Sequence, residues 1–175
     1  MAFAYTIKDQ GATHFLTFTV HQWADVFTRS QYVDIYLDSL LHCQREKGLL
    51  VYGWVVMTNH VHLIVRASQE NLSDIVRDHK KYTAKKIYEA IMANERESRK
   101  AWLPLVLNYK DHIWFWEEGY HGAAIYSESF FLTKLKYLHE NPVKAGLVEA
   151  PEHYLYSSAG DYASVRKGRL SIFGL

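Results

Sequence analysis

The sequence predicts an α+β fold of the ferredoxin-like, split βαβ kind: an antiparallel sheet with helices on one face, plus an extra helix at the C-terminal end. Three observations carry this expectation. Short apolar or alternating runs of strand length begin near His14, Leu49 and Asn59. Two longer stretches, 29–47 and 72–92, repeat apolar residues at helical spacing. The resulting order of strand, helix, strand, strand, helix, strand leaves one further helix over.

The first strand is expected over 14–20, where Phe15, Leu16, Phe18 and Val20 mix with β-branched Thr17 and Thr19. Residues 29–47 place Tyr32, Ile35, Tyr36, Leu40, Leu41 and Cys43 on one helical face, with Gly48 as the stop. Residues 49–57 are almost wholly apolar, which predicts a central strand buried on both faces. Residues 59–66 follow with barely a turn between, so the two strands are expected to form a tight hairpin. The second long helix, 72–92, turns Ile75, Val76, Tyr82, Ile87 and Ile91 toward the core.

Residues 94–102 are dense in both charges and read as a surface loop or helix end. A fourth strand is expected over 112–116 and a last helix over 127–141, with Phe130, Phe131, Leu135 and Leu138 as its buried stripe. Pro142 should end that helix, because the residue before a proline is pushed out of helical geometry.

Composition bounds the function classes. The chain has 175 residues, the length of one ordinary domain, with 49% apolar and 22% charged residues, which describes a folding sequence rather than a disordered one. A net charge of +1 excludes a bulk polycation, so any contact with nucleic acid must come from a local patch. Cys43 is the single cysteine, which excludes an internal disulfide and suits a reducing compartment. No run reaches the apolar length of a membrane span and no signal-peptide pattern opens the chain, so a cytoplasmic protein without membrane contact is expected.

Two pairs of residues point to chemistry. His60 and His62 stand at i and i+2 on the third strand, so they share one face about 7 Å apart along the chain. Two imidazoles on a rigid strand can hold a divalent metal, although such a pair is also simply what the polar face of a strand looks like. Tyr137 and Asn141 stand four apart on the last helix and share a face away from its apolar stripe. Taken alone, a tyrosine there is a rim residue and an asparagine before proline is a helix stop. On 72–92, Arg77, Lys80, Lys81, Lys85 and Lys86 form a basic face. It reads either as a solvated surface or as a ridge that tracks phosphates.

Read together, these segments resemble a known family. The strand Asn59-His60-Val61-His62-Leu63-Ile64 is similar to the metal strand of the HUH single-strand endonucleases. The run from Tyr137 through Asn141, Pro142 and Val143 to Val148 resembles the catalytic helix of the REP-associated tyrosine transposases, relatives of the insertion-sequence-200-like transposases. Trp114 to His121 and Tyr156-Ser157-Ser158-Ala159 with Tyr162 extend the likeness over about residues 12–162, so the whole chain, 1–175, is expected to be a single transposase domain. Two positions depart from the pattern. Thr58 stands where the family often has proline, and Asn141 stands where the broader group commonly has glutamine.

The resemblance implies a metal-dependent transposase that cuts single-stranded DNA beside hairpins formed by imperfect palindromes. Tyr137 would be the nucleophile, leaving a 5′-phosphotyrosine and a free 3′-hydroxyl. His60, His62 and Asn141 would hold one Mg²⁺ or Mn²⁺, which polarises the scissile phosphate. Lys80, Lys81, Lys85 and Lys86 are candidates for DNA-backbone contacts. His139 lies about 200° around the helix from Tyr137 and is not expected to act as a base. One tyrosine makes one cut, so full excision and insertion would call for a homodimer. Two other classes remain: a hairpin-binding protein that does not cleave, and a metal hydrolase for which Tyr137 is incidental.

Overall fold

In the computed structural model, described here for residues 5–110 and 112–175, an antiparallel sheet separates two layers of helix. The chain runs β1 (Thr13–Thr19), α1 (Ser30–Glu46), β2 (Leu49–Val56), β3 (His60–Ala67) and α2 (Leu72–Ala93). There follow a short α3 (Leu103–Val106) and a two-strand hairpin of β4 (Asn108–Tyr109) and β5 (His112–Ile113). Then come β6 (His121–Ile125), α4 (Glu128–Lys144) and a final turn, α5 (Ala159–Tyr162). The sheet order is β2-β3-β1-β6, so β1 and β3 are the central pair, as the split βαβ pattern requires.

Strand alternation divides the core in two. Leu16, Phe18, Val61, Leu63 and Val65 point to the face covered by α1 and α2 and belong to the larger apolar cluster. Phe15, Val55 and Ile64 point the other way, where Leu135 and Leu138 of α4 complete a smaller one. His60 and His62 have the same parity as Ile64, so β3 presents them to the α4 side.

Several expectations need correction. The apolar strand β2 is an edge, not a centre. It is apolar because both of its faces are packed and its outer edge is covered by the C-terminal segment. There Val56 N–H donates to Tyr156 O (2.9 Å), Ser158 N–H to Trp54 O (2.9 Å) and Phe173 N–H to Val51 O (2.8 Å). Tyr162 Oη adds a bond to Tyr52 O (2.7 Å). A sheaved edge of this kind removes the unpaired ladder that invites aggregation.

The fourth strand of the sheet is 121–125 rather than 112–116. Gly122 opposes Leu16 across the β1–β6 ladder, and a Cβ there would sit 2.5 Å from the Tyr5 ring, so glycine is what lets the N-terminal segment cross this edge. The aromatic run 112–116 instead wedges Phe115 and Trp116 into the larger core. The Trp116 indole N–H donates to Thr83 Oγ1 at 3.2 Å.

Helix α4 does not stop before Pro142 but carries it inside its last turn. A proline there forfeits one intrahelical bond, and the end is closed by Ala145 N–H to Asn141 O and Leu147 N–H to Pro142 O, with Gly146 at φ +72°. On α2, Tyr82 is exposed, and His79 and Thr83 take the buried stripe instead. The charged stretch 94–102 also hides a core group. The Glu97 side chain is fully buried, accepts from Tyr32 Oη (2.8 Å) and is paired with Arg29 and Arg99. These partners hold its carboxyl far below the usual carboxylate range. Among the described residues no helix is long and apolar enough to cross a membrane.

Candidate active site

Strand β3 and helix α4 meet over the histidine pair. Register pairs Thr19 with His60 and Thr17 with His62 across the central β1–β3 ladder, so both imidazoles stand over the middle of the sheet. Their ring centroids are 4.9 Å apart. His62 is the deeper, 4% exposed, stacked on Phe15 at 5.3 Å and hydrogen-bonded through Nδ1 to Thr17 Oγ1 at 2.8 Å. His60 is half-buried, with the Trp23 ring set edge-on at 5.8 Å.

A short relay fixes His60. The Asn59 amide N–H donates to Asp25 Oδ1 (3.0 Å), which settles which end of the amide faces the carboxylate. Asn59 Oδ1 therefore faces His60 Nδ1 at 2.8 Å, and an oxygen acceptor there requires the proton on Nδ1. The Nε2 lone pair of His60 is left toward α4. Burial favours the neutral form of both rings: it lowers the His60 pKa, offset in part by a hydrogen bond with Asn141. For His62, burial first and then the charges of His60 and Lys134 bring it down to about 3.

Helix α4 delivers the other half. Its N-cap Ser127 Oγ accepts from Phe130 N–H, and the buried Leu135 and Leu138 dock it on the sheet. Gly53 of β2 makes that approach possible, since a Cβ there would lie 2.8 Å from Leu135 Cδ1. The neighbouring face of the helix carries Lys134, Tyr137, Asn141 and Lys144, spaced three, four and three apart. Asn141 Nδ2 lies 3.4 Å from His62 Nε2. Tyr137 is 42% exposed, with its ring 5.3 Å from that of His62. Lys134 Nζ lies 5.8 Å and Lys144 Nζ 5.7 Å from the centre of the tyrosine ring.

This arrangement suits a divalent ion by its donor chemistry. Two neutral imidazoles can offer lone pairs, and a half-turn of the Asn141 amide presents its oxygen where the nitrogen now stands. Among the described residues no group of three or more His, Cys, Asp and Glu side chains gathers at one place, so a third donor beside the two histidines would have to come from another residue type, such as the Asn141 amide. The second set of contacts, Thr17 on His62 and Asn59 on His60, is the kind that orients metal-binding imidazoles.

The structure thus brings His60, His62, Tyr137 and Asn141 together. It does not bring the α2 lysines there, because α2 packs on the other face of the sheet. Lys80 is turned inward, donating to the carbonyls of Gly119 (2.5 Å) and Glu117 (3.4 Å), and burial pushes its pKa down to about 8. Lys86 is paired with Glu89 at 3.0 Å, and Lys85 lies 3.9 Å from the same carboxylate. Two cations that sequence reasoning passed over, Lys134 and Lys144, flank Tyr137 instead. Their signal was present in the 134, 137, 141, 144 spacing. His139 faces away and is bonded to Ser158 Oγ at 2.8 Å.

Comparison with known proteins bears on the family and the fold. The sequence model of the family described as "Transposase IS200 like" matches residues 10–141. Among solved structures, a REP-associated tyrosine transposase bound to a REP hairpin superposes with a TM-score of 0.70. It is 17% identical, and the match covers 99% of this chain and 96% of that one, a likeness of fold. A candidate transposase from Deinococcus radiodurans r1 aligns at a TM-score of 0.45 and 18% identity, over 80% of this chain and 94% of that one. No curated protein sequence matches the chain.

Proposed function

Because the chain belongs to the family of IS200-like transposases, we propose that it cuts and rejoins single-stranded DNA beside hairpins, with Tyr137 as the nucleophile. One observation carries this reading: Tyr137 and Asn141 of α4 stand directly over His62 of β3, with ring and amide contacts between elements more than seventy residues apart. A rim tyrosine and a helix-stop asparagine have no reason to converge on a buried, neutral histidine.

In the proposed reaction the Tyr137 oxygen attacks the scissile phosphorus and loses its proton. The bond from phosphorus to the 3′ oxygen breaks, and that oxygen leaves as a 3′-hydroxyl after taking up a proton. The strand remains joined to Tyr137 through its 5′ phosphate. Because the phosphodiester is exchanged rather than hydrolysed, a 3′-hydroxyl can reverse the step without ATP. His60, His62 and Asn141 would hold a Mg²⁺ or Mn²⁺, which when bound withdraws charge from the phosphate oxygens. The mixed imidazole and amide donor set favours Mn²⁺, and abundance favours Mg²⁺. Lys134 and Lys144 flank the tyrosine and supply positive charge where a phosphate must lie. Lys81, Lys85 and Lys86, on the far face, would reach only DNA that wraps around the molecule.

Hairpin DNA as partner is supported by the fold shared with the REP-associated tyrosine transposase bound to a REP hairpin. Excision at two ends takes two cuts, and one tyrosine supplies one, so that reaction would draw on two copies of the chain. The test is cleavage of labelled single-stranded hairpin DNA with Mg²⁺ or Mn²⁺, with chelator and with His62→Ala. Product in the metal-containing wild-type lane alone supports the reading. Hairpin binding without product under either metal turns it into a non-cleaving binder on the same fold.

A further inference from the structure

The loop between β1 and α1 spends backbone strain on an exposed tryptophan. Gln22 and Trp23 both adopt left-handed geometry, with φ +52° and +56°, a region that side-chain-bearing residues rarely occupy. The loop is tied down: Gln22 N–H donates to Glu117 Oε1 (2.7 Å), Trp23 N–H to Val20 O (2.9 Å), and Val20 N–H to Asn59 O (2.8 Å). What this holds in place is an indole 61% exposed to solvent, standing edge-on against His60. It forms one wall of a cavity of about 610 Å³, and Trp102, itself 47% exposed, lines the same cavity with Val106 and Asp25. Arg29 and Arg99 lie in its wall, but both are committed to the buried Glu97.

We propose that this cavity is a stacking subsite for an unpaired base of the DNA strand, next to the phosphate that lies over the histidine pair. An aromatic face accepts any base by stacking, and two exposed indoles on one cavity, one of them edge-on against His60, offer that surface where a single strand must pass. With its two arginines set against Glu97 and Asp25, the subsite recognises bases by stacking rather than backbone by charge. The ligand class is therefore a nucleobase in a single-stranded arm, not a phosphate or a duplex. This inference rests on the proposed function, since the strand is brought there by that reaction.

The test uses a hairpin DNA with a single-stranded arm and the same hairpin blunt, titrated against wild type, Trp23→Tyr and Trp23→Ala. Wild type should bind the armed hairpin more tightly than the blunt one. Trp23→Ala should lose that gain, about 5- to 150-fold, while Trp23→Tyr keeps most of it and blunt binding is unchanged. A second measurement needs no variant: a fluorescent base analogue walked along the arm should be quenched by stacking at one or two adjacent positions. Equal affinity of Trp23→Ala and wild type for the armed hairpin, or no quenching at any position, overturns the subsite. The two readings fail separately. DNA cleavage with no arm effect removes the subsite alone, and an arm effect with no cleavage removes the strand-transfer chemistry alone.

Discussion

Asn141 Nδ2 lies 3.4 Å from His62 Nε2, a contact that closes helix α4 onto the central strand across 79 residues of chain. If that approach marks a shared ion, Asn141→Ala should weaken Mn²⁺ binding at least about tenfold while leaving the fold intact, because the side chain is only half-buried. Titration calorimetry with a parallel melting curve checks this. Unchanged Mn²⁺ affinity in the variant would remove Asn141 from the ligand set.

The Asp25–Asn59–His60 relay should act on the tautomer of His60. With Asn59→Ala, the proton is no longer held at Nδ1 and metal affinity should drop by about 10- to 100-fold. Nitrogen-15 NMR of the imidazole in the metal-free protein reads the tautomer directly. Wild type should show a protonated Nδ1, and the variant a mixture. The same spectrum for both proteins would mean the relay orients nothing.

Gly53 sets the distance between β2 and α4. Gly53→Ala places a methyl group 2.8 Å from Leu135 Cδ1, so α4 must shift outward or Leu135 must leave its rotamer. Overpacking of this kind costs about 1–3 kcal/mol. The variant should also lose DNA cleavage more than stability implies, since Tyr137 and Asn141 ride on the same helix. Restored cleavage in Gly53→Ala with Leu135→Val would trace the effect to this contact, and no recovery would place it elsewhere.

Acid should unfold the protein through its buried histidines. His79, between α1 and α2, has its pKa lowered to about 3 by burial and then by Lys47 and Lys80, and His62 is brought to the same range. In the unfolded chain a histidine titrates near its ordinary 6.5. The unfolded state therefore takes up protons first as pH falls. The stability from these neutral rings is full above about pH 6.5 and is lost progressively toward pH 3, at up to ~1.4 kcal/mol per pH unit for each. Urea denaturation of the metal-free protein at pH 7.5, 5.5 and 4.5 should show midpoints falling with pH. A midpoint that stays flat over that range would contradict the burial argument.

The sequence was most legible where one element decided the outcome alone. Alternation in β3 put His60 and His62 on one face, and helical spacing in α4 put Tyr137 beside Asn141, because both patterns are local. It was less legible where tertiary packing overrode local preference. His121-Gly122-Ala123-Ala124 has little strand propensity, yet Gly122 is there to admit Tyr5 against the sheet edge. The aromatic run 112–116 looks like a strand because it is built to be buried, and buried it is, in a different role. Lys80 belonged to a basic face by spacing alone, but the carbonyls of 117 and 119 turn it inward. The Pro142 stop failed because a proline in a last turn removes only one bond.

The proposed strand transfer stands or falls on the Tyr137 linkage. Labelled single-stranded hairpin DNA should be incubated with Mg²⁺ or Mn²⁺ and wild type, Tyr137→Phe or His62→Ala, then run on a denaturing gel, with the adducted peptide mapped by mass spectrometry. A covalent band is expected with wild type alone, with a phosphodeoxynucleotide on the peptide carrying Tyr137. An adduct of equal yield in Tyr137→Phe, or one mapped to another residue, would contradict it.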